Sequence, residues 1–145
     1  MTAGAARRPG RHRATVALVV WTLLLWTTRI ANIWRDAELD TGERWGRTLL
    51  ALSFTILAAA VVVAVGRRLR QARVVAVGAL AAWTIAVWAV RGIGILAADH
   101  DLGFKAVHTA LAVVSIVLAV LAWRETRRQT SRPPTAAQVP VERRG

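Results

Sequence analysis

Residues 46–65, GRTLLALSFTILAAAVVVAV, contain a single charged side chain, Arg47, at their second position. A helix rises about 1.5 Å per residue, so a segment of this length is roughly 30 Å long, which is the thickness of the hydrocarbon core of a bilayer. The absence of charge from the inner part of the segment predicts a membrane-spanning helix rather than a helix of a soluble core.

Three further segments have the same length and apolar character: residues 14–34, 74–97 and 104–123. The first follows a cluster of arginines that resembles the start of a signal peptide, but its apolar run is too long for a cleaved peptide, so we expect a retained signal anchor. The sequence therefore predicts an all-α, polytopic membrane protein with four transmembrane helices. We expect a basic loop at 66–73, a basic tail at 1–13 and a basic, disordered tail at 124–145.

The distribution of charge predicts the orientation of these helices. The two tails and the 66–73 loop hold fourteen arginines and two glutamates, whereas the other connections and span ends hold six cations and six acidic residues. The whole net charge of +12 thus lies on one side. The positive-inside rule assigns that side to the cytoplasm, with both chain ends inside, and we expect a cell inner (cytoplasmic) membrane location.

Composition also excludes several classes of function. The chain has no cysteine, which excludes disulfides, thiolate metal sites and cysteine nucleophiles, and we expect no cofactor. Because membrane topology explains the positive charge, no nucleic-acid partner is expected. The expected partners are membrane lipids, including anionic headgroups at the cytoplasmic face, and either further copies of the chain or a larger membrane protein.

An internal repeat relates the two halves of the chain. The pattern W-T-x3-W-x2-R occurs at residues 21–29 and again at 83–91, and the pattern D-x-G-x-[RK]-x2-[RH]-T occurs at residues 40–48 and 101–109. The offsets are 62 and 61 residues, which predicts two tandem helical hairpins, 14–65 and 74–123. Both hairpins would start in the cytoplasm, so the repeats are parallel and place equivalent polar residues around one centre near the outer face.

The repeated arginines, Arg29 and Arg91, have two interpretations. Arg29 is 15 residues past the start of its span, about 22 Å deep, so its side chain could reach the outer headgroups as a membrane anchor. Alternatively, both guanidinium groups face the centre of the bundle and bind an anion, a lipid phosphate or a loop carboxylate. A buried arginine needs such a partner, and we expect at least one of the two to pair with a loop carboxylate such as Asp40 or Asp101.

The other candidate residues also have structural alternatives. Asp40 and Asp101 each precede a returning helix, where an N-cap is expected. Arg47 and His108 are at matched positions, each seven residues or about two helical turns after its aspartate. Together with Arg29, Arg91 and the two aspartates, they form a candidate anion-binding or ion-pair cluster. Asp99, His100, Asp101 and His108 could hold a divalent metal, but their spacing matches no standard motif and the first half has Arg47 in place of His108.

Three functions remain open. The first is a non-catalytic accessory or assembly subunit, or a small binding module. The second is a small oligomeric channel or carrier that binds an anion or lipid phosphate at the arginine pair, although the spans lack the ionisable midplane group of most coupled carriers. The third is a lipid-modifying enzyme at the outer face, which would use His108 with Asp99 or Asp101.

Overall fold

The computed structural model describes residues 12–99 and 101–131, and this part of the chain is all α-helical. Its helices are α1 (Arg13–Arg35), α2 (Thr41–Gly66), α3 (Arg70–Ala97) and α4 (Leu102–Thr130). Each of the four is long and apolar enough to cross a membrane, which confirms the prediction of four such helices and indicates a multi-pass membrane protein.

The helices form a closed ring in which each one contacts two neighbours, α1 with α2 and α4, and α3 with α2 and α4. The connections are short, and this places residues 36–40, 98, 99 and 101 at one end of the bundle, called here the aspartate end. The 67–69 turn lies at the opposite, basic end with the start of α1 and the end of α4. Apolar side chains from the helices fill the centre, and those exposed by 1% or less include Leu18, Phe54, Ala58, Val61, Val77, Leu80 and Ala119.

The basic loop is shorter than the predicted 66–73, because α3 begins at Arg70. Arg68 adopts a positive φ of 56°, and the amide nitrogens of Arg68 and Leu69 donate to the carbonyls of Val65 (3.1 Å) and Ala64 (2.9 Å). These two bonds satisfy the last carbonyls of α2 and reverse the chain within three residues. The next helix therefore starts before the apolar run that was used to predict it.

The prediction of a disordered tail from residue 124 is wrong for its first part, because α4 continues to Thr130. Thr126 is buried, and one carboxylate oxygen of Glu125 accepts hydrogen bonds from the backbone nitrogen (3.0 Å) and hydroxyl (2.9 Å) of Thr15. The Arg127 guanidinium lies 4.9 Å from the centre of the Trp123 ring. Contacts with α1 thus extend the helix beyond its apolar segment. Residues 1–11 and 132–145 of the predicted tails lie outside the described residues.

Candidate functional site

A cavity of about 370 Å³ lies toward the aspartate end, bounded by α1, α3 and α4. The cavity has an apolar part made of leucine and tryptophan side chains and a polar part that contains two guanidinium groups and an imidazole. The lining residues are Trp21, Leu24, Leu25, Trp26, Thr28, Arg29, Asn32, Trp88, Arg91, His108 and Leu111.

Two tryptophan–serine hydrogen bonds join the helices, and one of them involves Trp21 of the cavity lining. Trp21 of α1 donates its Nε1–H to the hydroxyl of Ser115 in α4, and Trp83 of α3 donates to the hydroxyl of Ser53 in α2, both at 2.9 Å. The tryptophans are equivalent in the repeat, whereas the serines are 62 residues apart, one more than the 61-residue offset between the matched positions of α2 and α4. Each bond therefore connects helices from different halves of the chain. Sequence reasoning marked the tryptophans as repeated but did not identify their acceptors.

The two halves of the bundle differ in side-chain size at one matched position. Trp26, the equivalent of Trp88 in the repeat, stacks on Phe54 with ring centres 4.0 Å apart and planes inclined by 12°. The residue 61 positions after Phe54 is Ser115, which is much smaller and is the acceptor for Trp21. In the part of the chain that is described, Trp88 has no aromatic ring stacked on it.

Arg29 and Arg91 both line the cavity and are half-buried. Within residues 12–99 and 101–131, neither guanidinium group has a hydrogen bond or an ion pair, so the expected pairing with a loop carboxylate does not form there. Arg29 and Arg47 lie close enough for their charges to repel that of Arg91. The result is a concentration of positive charge without a compensating carboxylate in the cavity lining.

Trp88 also borders the cavity, and its indole N–H is unsatisfied. Its side chain is only 7% exposed, and its Nε1–H has no hydrogen-bond acceptor among the described residues. A buried N–H without a partner costs about 1–3 kcal/mol. Because this nitrogen is fully buried, the Trp88 ring forms part of the cavity wall but its N–H does not face the cavity.

His108 is held in a defined orientation at the cavity. Its Nδ1 donates to the carbonyl of Phe104 at 2.9 Å, and its ring lies 3.9 Å from the Phe104 ring, centre to centre. Since a carbonyl can only accept, the proton is on Nδ1 in the neutral ring, and Nε2 is the remaining hydrogen-bonding position.

The two candidate aspartates do not line the cavity. Asp40 accepts the backbone N–H of Glu43 at 2.9 Å and Asp101 accepts that of Phe104 at 2.8 Å, so both are N-caps. Arg47 forms an ion pair with Glu43 on the exposed side of α2, with 3.7 Å between the guanidinium nitrogen and the carboxylate oxygen. The structure therefore brings Arg29, Arg91 and His108 together, with Arg47 nearby and the aspartates in the adjoining loops.

The described residues contain no group of three or more side chains able to hold a metal ion. Asp99 and Asp101 are exposed, and His100 lies outside the described residues. No protein-family model, curated protein or solved structure matches this chain.

Proposed function

We propose that this protein is a small, non-catalytic binding module of the bacterial inner membrane that holds an anionic group in the cavity between Arg29 and Arg91. The observation that carries the proposal is the pair of half-buried guanidinium groups without a carboxylate partner in the described chain. A bound anion removes the cost of the unpaired charges.

The packing of the bundle favours binding over transport. Below the cavity, toward the basic end, the centre is closed by side chains exposed by no more than 1%, among them Leu18, Leu80 and Val61. One copy of the chain therefore has no continuous polar path through this layer of its described part. An ion crossing such a layer would lose its hydration without gaining protein ligands, which is very costly.

The geometry also gives little support to the enzyme hypothesis. That hypothesis uses His108 as a base together with Asp99 or Asp101. Asp101 is occupied as an N-cap, and the Nδ1 of His108 is bonded to a backbone carbonyl instead of an aspartate. Positioning of a ligand requires no base, so the same residues suit a binding role.

The orientation and the parallel repeat are part of this proposal. Three features support a duplicated hairpin with a two-fold axis along the membrane normal. They are the two tryptophan–serine bonds between the halves, the two aspartate N-caps, and the burial of Thr22 and Thr84 at matched positions. With both ends of the chain in the cytoplasm, the cavity opens in the outer half of the membrane. Its polar part then lies near the outer headgroups.

Reporter fusions test this orientation. Fusions of alkaline phosphatase, which is active only outside, are expected to be active after Asp40 and Asp101 and inactive after Arg73 and Gly145. The physical reason is the excess of arginine at the basic end. Fusions of green fluorescent protein at the same sites are expected to give the reverse pattern. A phosphatase signal after Arg73 would place the cavity on the cytoplasmic side and contradict the assignment.

Retention of anionic lipid tests the binding function. We expect protein purified in a neutral detergent to retain an anionic lipid, detected by native mass spectrometry, and Arg29→Gln or Arg91→Gln to reduce its occupancy at least about tenfold. The estimate corresponds to loss of one charge-assisted hydrogen bond of about 1.5–3 kcal/mol.

Arg35→Gln is the matched control for these variants. Arg35 is exposed in the last turn of α1, two helical turns beyond Arg29, and does not line the cavity. Its replacement removes the same charge from the same helix, so occupancy is expected to stay within about twofold of the parent. Equal losses in all three variants would mean that lipid binds to the general positive charge, and the cavity would not be the site.

A further inference from the structure

We propose that the group bound in the cavity is the terminal phosphate monoester of a lipid, with the lipid chain directed toward the middle of the bundle. This inference rests on the proposed function and specifies its ligand. Three properties of the cavity support a lipid phosphate monoester: the charge of its lining, the direction in which its polarity changes, and its open side.

The charge of the lining favours a dianion. Arg29 and Arg91 contribute two positive charges, Arg47 acts on the same region, and the lining contains no carboxylate. A phosphate monoester carries nearly two negative charges at neutral pH, whereas a phosphodiester or a fatty acid carries one. The monoester alone among these neutralises both guanidinium groups.

The number of phosphate oxygens also fits the donors. The guanidinium groups come from two helices, α1 and α3. Their N–H groups approach from different directions, and the three terminal oxygens of a phosphate monoester can accept from both.

The volume and polarity of the cavity indicate an apolar group attached to the phosphate. At about 370 Å³, the cavity has room for on the order of ten water molecules, so a bare phosphate ion fills only a small part of it. Leu25 and Trp21 lie one and two turns deeper in α1 than Arg29, about 6 and 12 Å along the helix axis. Polarity therefore falls from the end of the bundle toward its middle, as it does along a lipid molecule.

The cavity is accessible from the side of the bundle. Leu24 is 62% exposed although it belongs to the lining, and Thr28 and Asn32, one and two turns further along the same face of α1, are exposed as well. A lipid can enter past this face without leaving the membrane. A water-soluble phosphate ester would gain nothing from the apolar depth or the lateral opening.

Competition between matched amphiphiles tests the inference on the full chain in a neutral maltoside detergent. The probes are dodecyl phosphate, dodecyl methyl phosphate, laurate and inorganic phosphate, at about pH 8 so that the monoester is a dianion. Trp21, Trp26 and Trp88 line the cavity, so a change in indole fluorescence, together with the shift of the thermal transition, reports binding.

Dodecyl phosphate is expected to bind about tenfold more tightly than the methyl diester or laurate, because it pairs with both guanidinium groups. Inorganic phosphate should compete only at concentrations at least about a hundredfold higher, because it lacks the apolar chain. Arg29→Gln and Arg91→Gln should abolish the preference for the monoester, while Arg35→Gln retains it.

The other outcomes separate this inference from the proposed function. Equal affinity for the monoester and the diester, with dependence on the arginines intact, would overturn the phosphate-monoester assignment and leave an anion-binding module. Inorganic phosphate as potent as dodecyl phosphate would overturn the lipid part and indicate a soluble phosphate. A lack of arginine-dependent binding by every probe would overturn both proposals.

Discussion

Replacement of Phe54 with alanine is expected to lower the free energy of unfolding by about 3 kcal/mol, at the lower end of the range for phenylalanine deletions in protein cores. Phe54 is fully buried, stacks on Trp26 at 4.0 Å and lies 6.2 Å from the Trp83 ring, centre to centre. In a membrane bundle the loss comes mainly from dispersion contacts, because lipid tails are as apolar as the core. Thermal or denaturant unfolding of the purified protein in detergent measures it.

Ile56→Ala is the control for this prediction. Ile56 is on the same helix, two residues away, and is 65% exposed, so its truncation is expected to change stability by less than about 0.5 kcal/mol. Phe54→Leu should be intermediate, because it restores part of the lost volume. If Phe54→Ala cost no more than Ile56→Ala, the Phe54 ring would not be the central packing element of this half of the bundle.

The number and position of the helices could be predicted from hydropathy because the requirement is local. A backbone inside a membrane must satisfy its own hydrogen bonds, so each apolar segment of sufficient length forms a helix whatever its neighbours are. The helix ends were predicted less well. The 66–73 loop shortened because Arg68 adopts a left-handed conformation, and α4 continued to Thr130 because Glu125 contacts Thr15. The first cause is a local backbone conformation and the second is a contact between residues 110 positions apart, and hydropathy contains neither.

The candidate site was predictable in part. Arg29 and Arg91 stood out because charged residues set inside apolar segments are rare and these two are at matched positions. The predicted carboxylate partners were not found in the described residues, because Asp40 and Asp101 are engaged as N-caps. The cavity itself is lined by residues from three helices, α1, α3 and α4. Its recognition requires knowledge of which helices are neighbours, and a single sequence does not supply that.

The contact that extends α4 leads to the second large stability effect, at Glu125. Thr15 is in the first turn of α1, is 3% exposed, and donates both its backbone N–H and its hydroxyl to one oxygen of Glu125. The N-cap residue of α1, His12, makes no side-chain capping bond, so Glu125 provides from α4 the acceptor that a local cap supplies in most helices. Its negative charge also suits the positive end of the helix dipole.

Glu125→Ala is therefore expected to lower the free energy of unfolding by about 2 kcal/mol, because it leaves two buried donors without an acceptor. Glu125→Gln keeps an acceptor oxygen and loses only the charge, so about half of that cost is expected. Glu43→Ala removes a carboxylate whose partner, Arg47, lies 3.7 Å away on an exposed surface, and should change stability by less than about 0.5 kcal/mol. In a double-mutant cycle with Thr15→Ala, the effects of the Thr15 and Glu125 changes should be less than additive, because Thr15→Ala removes the hydroxyl bond, which is one of the two bonds that Glu125→Ala removes. Additive effects, or a Glu125→Ala variant as stable as Glu43→Ala, would show that α4 does not cap α1 and that its last turns contribute little to the fold.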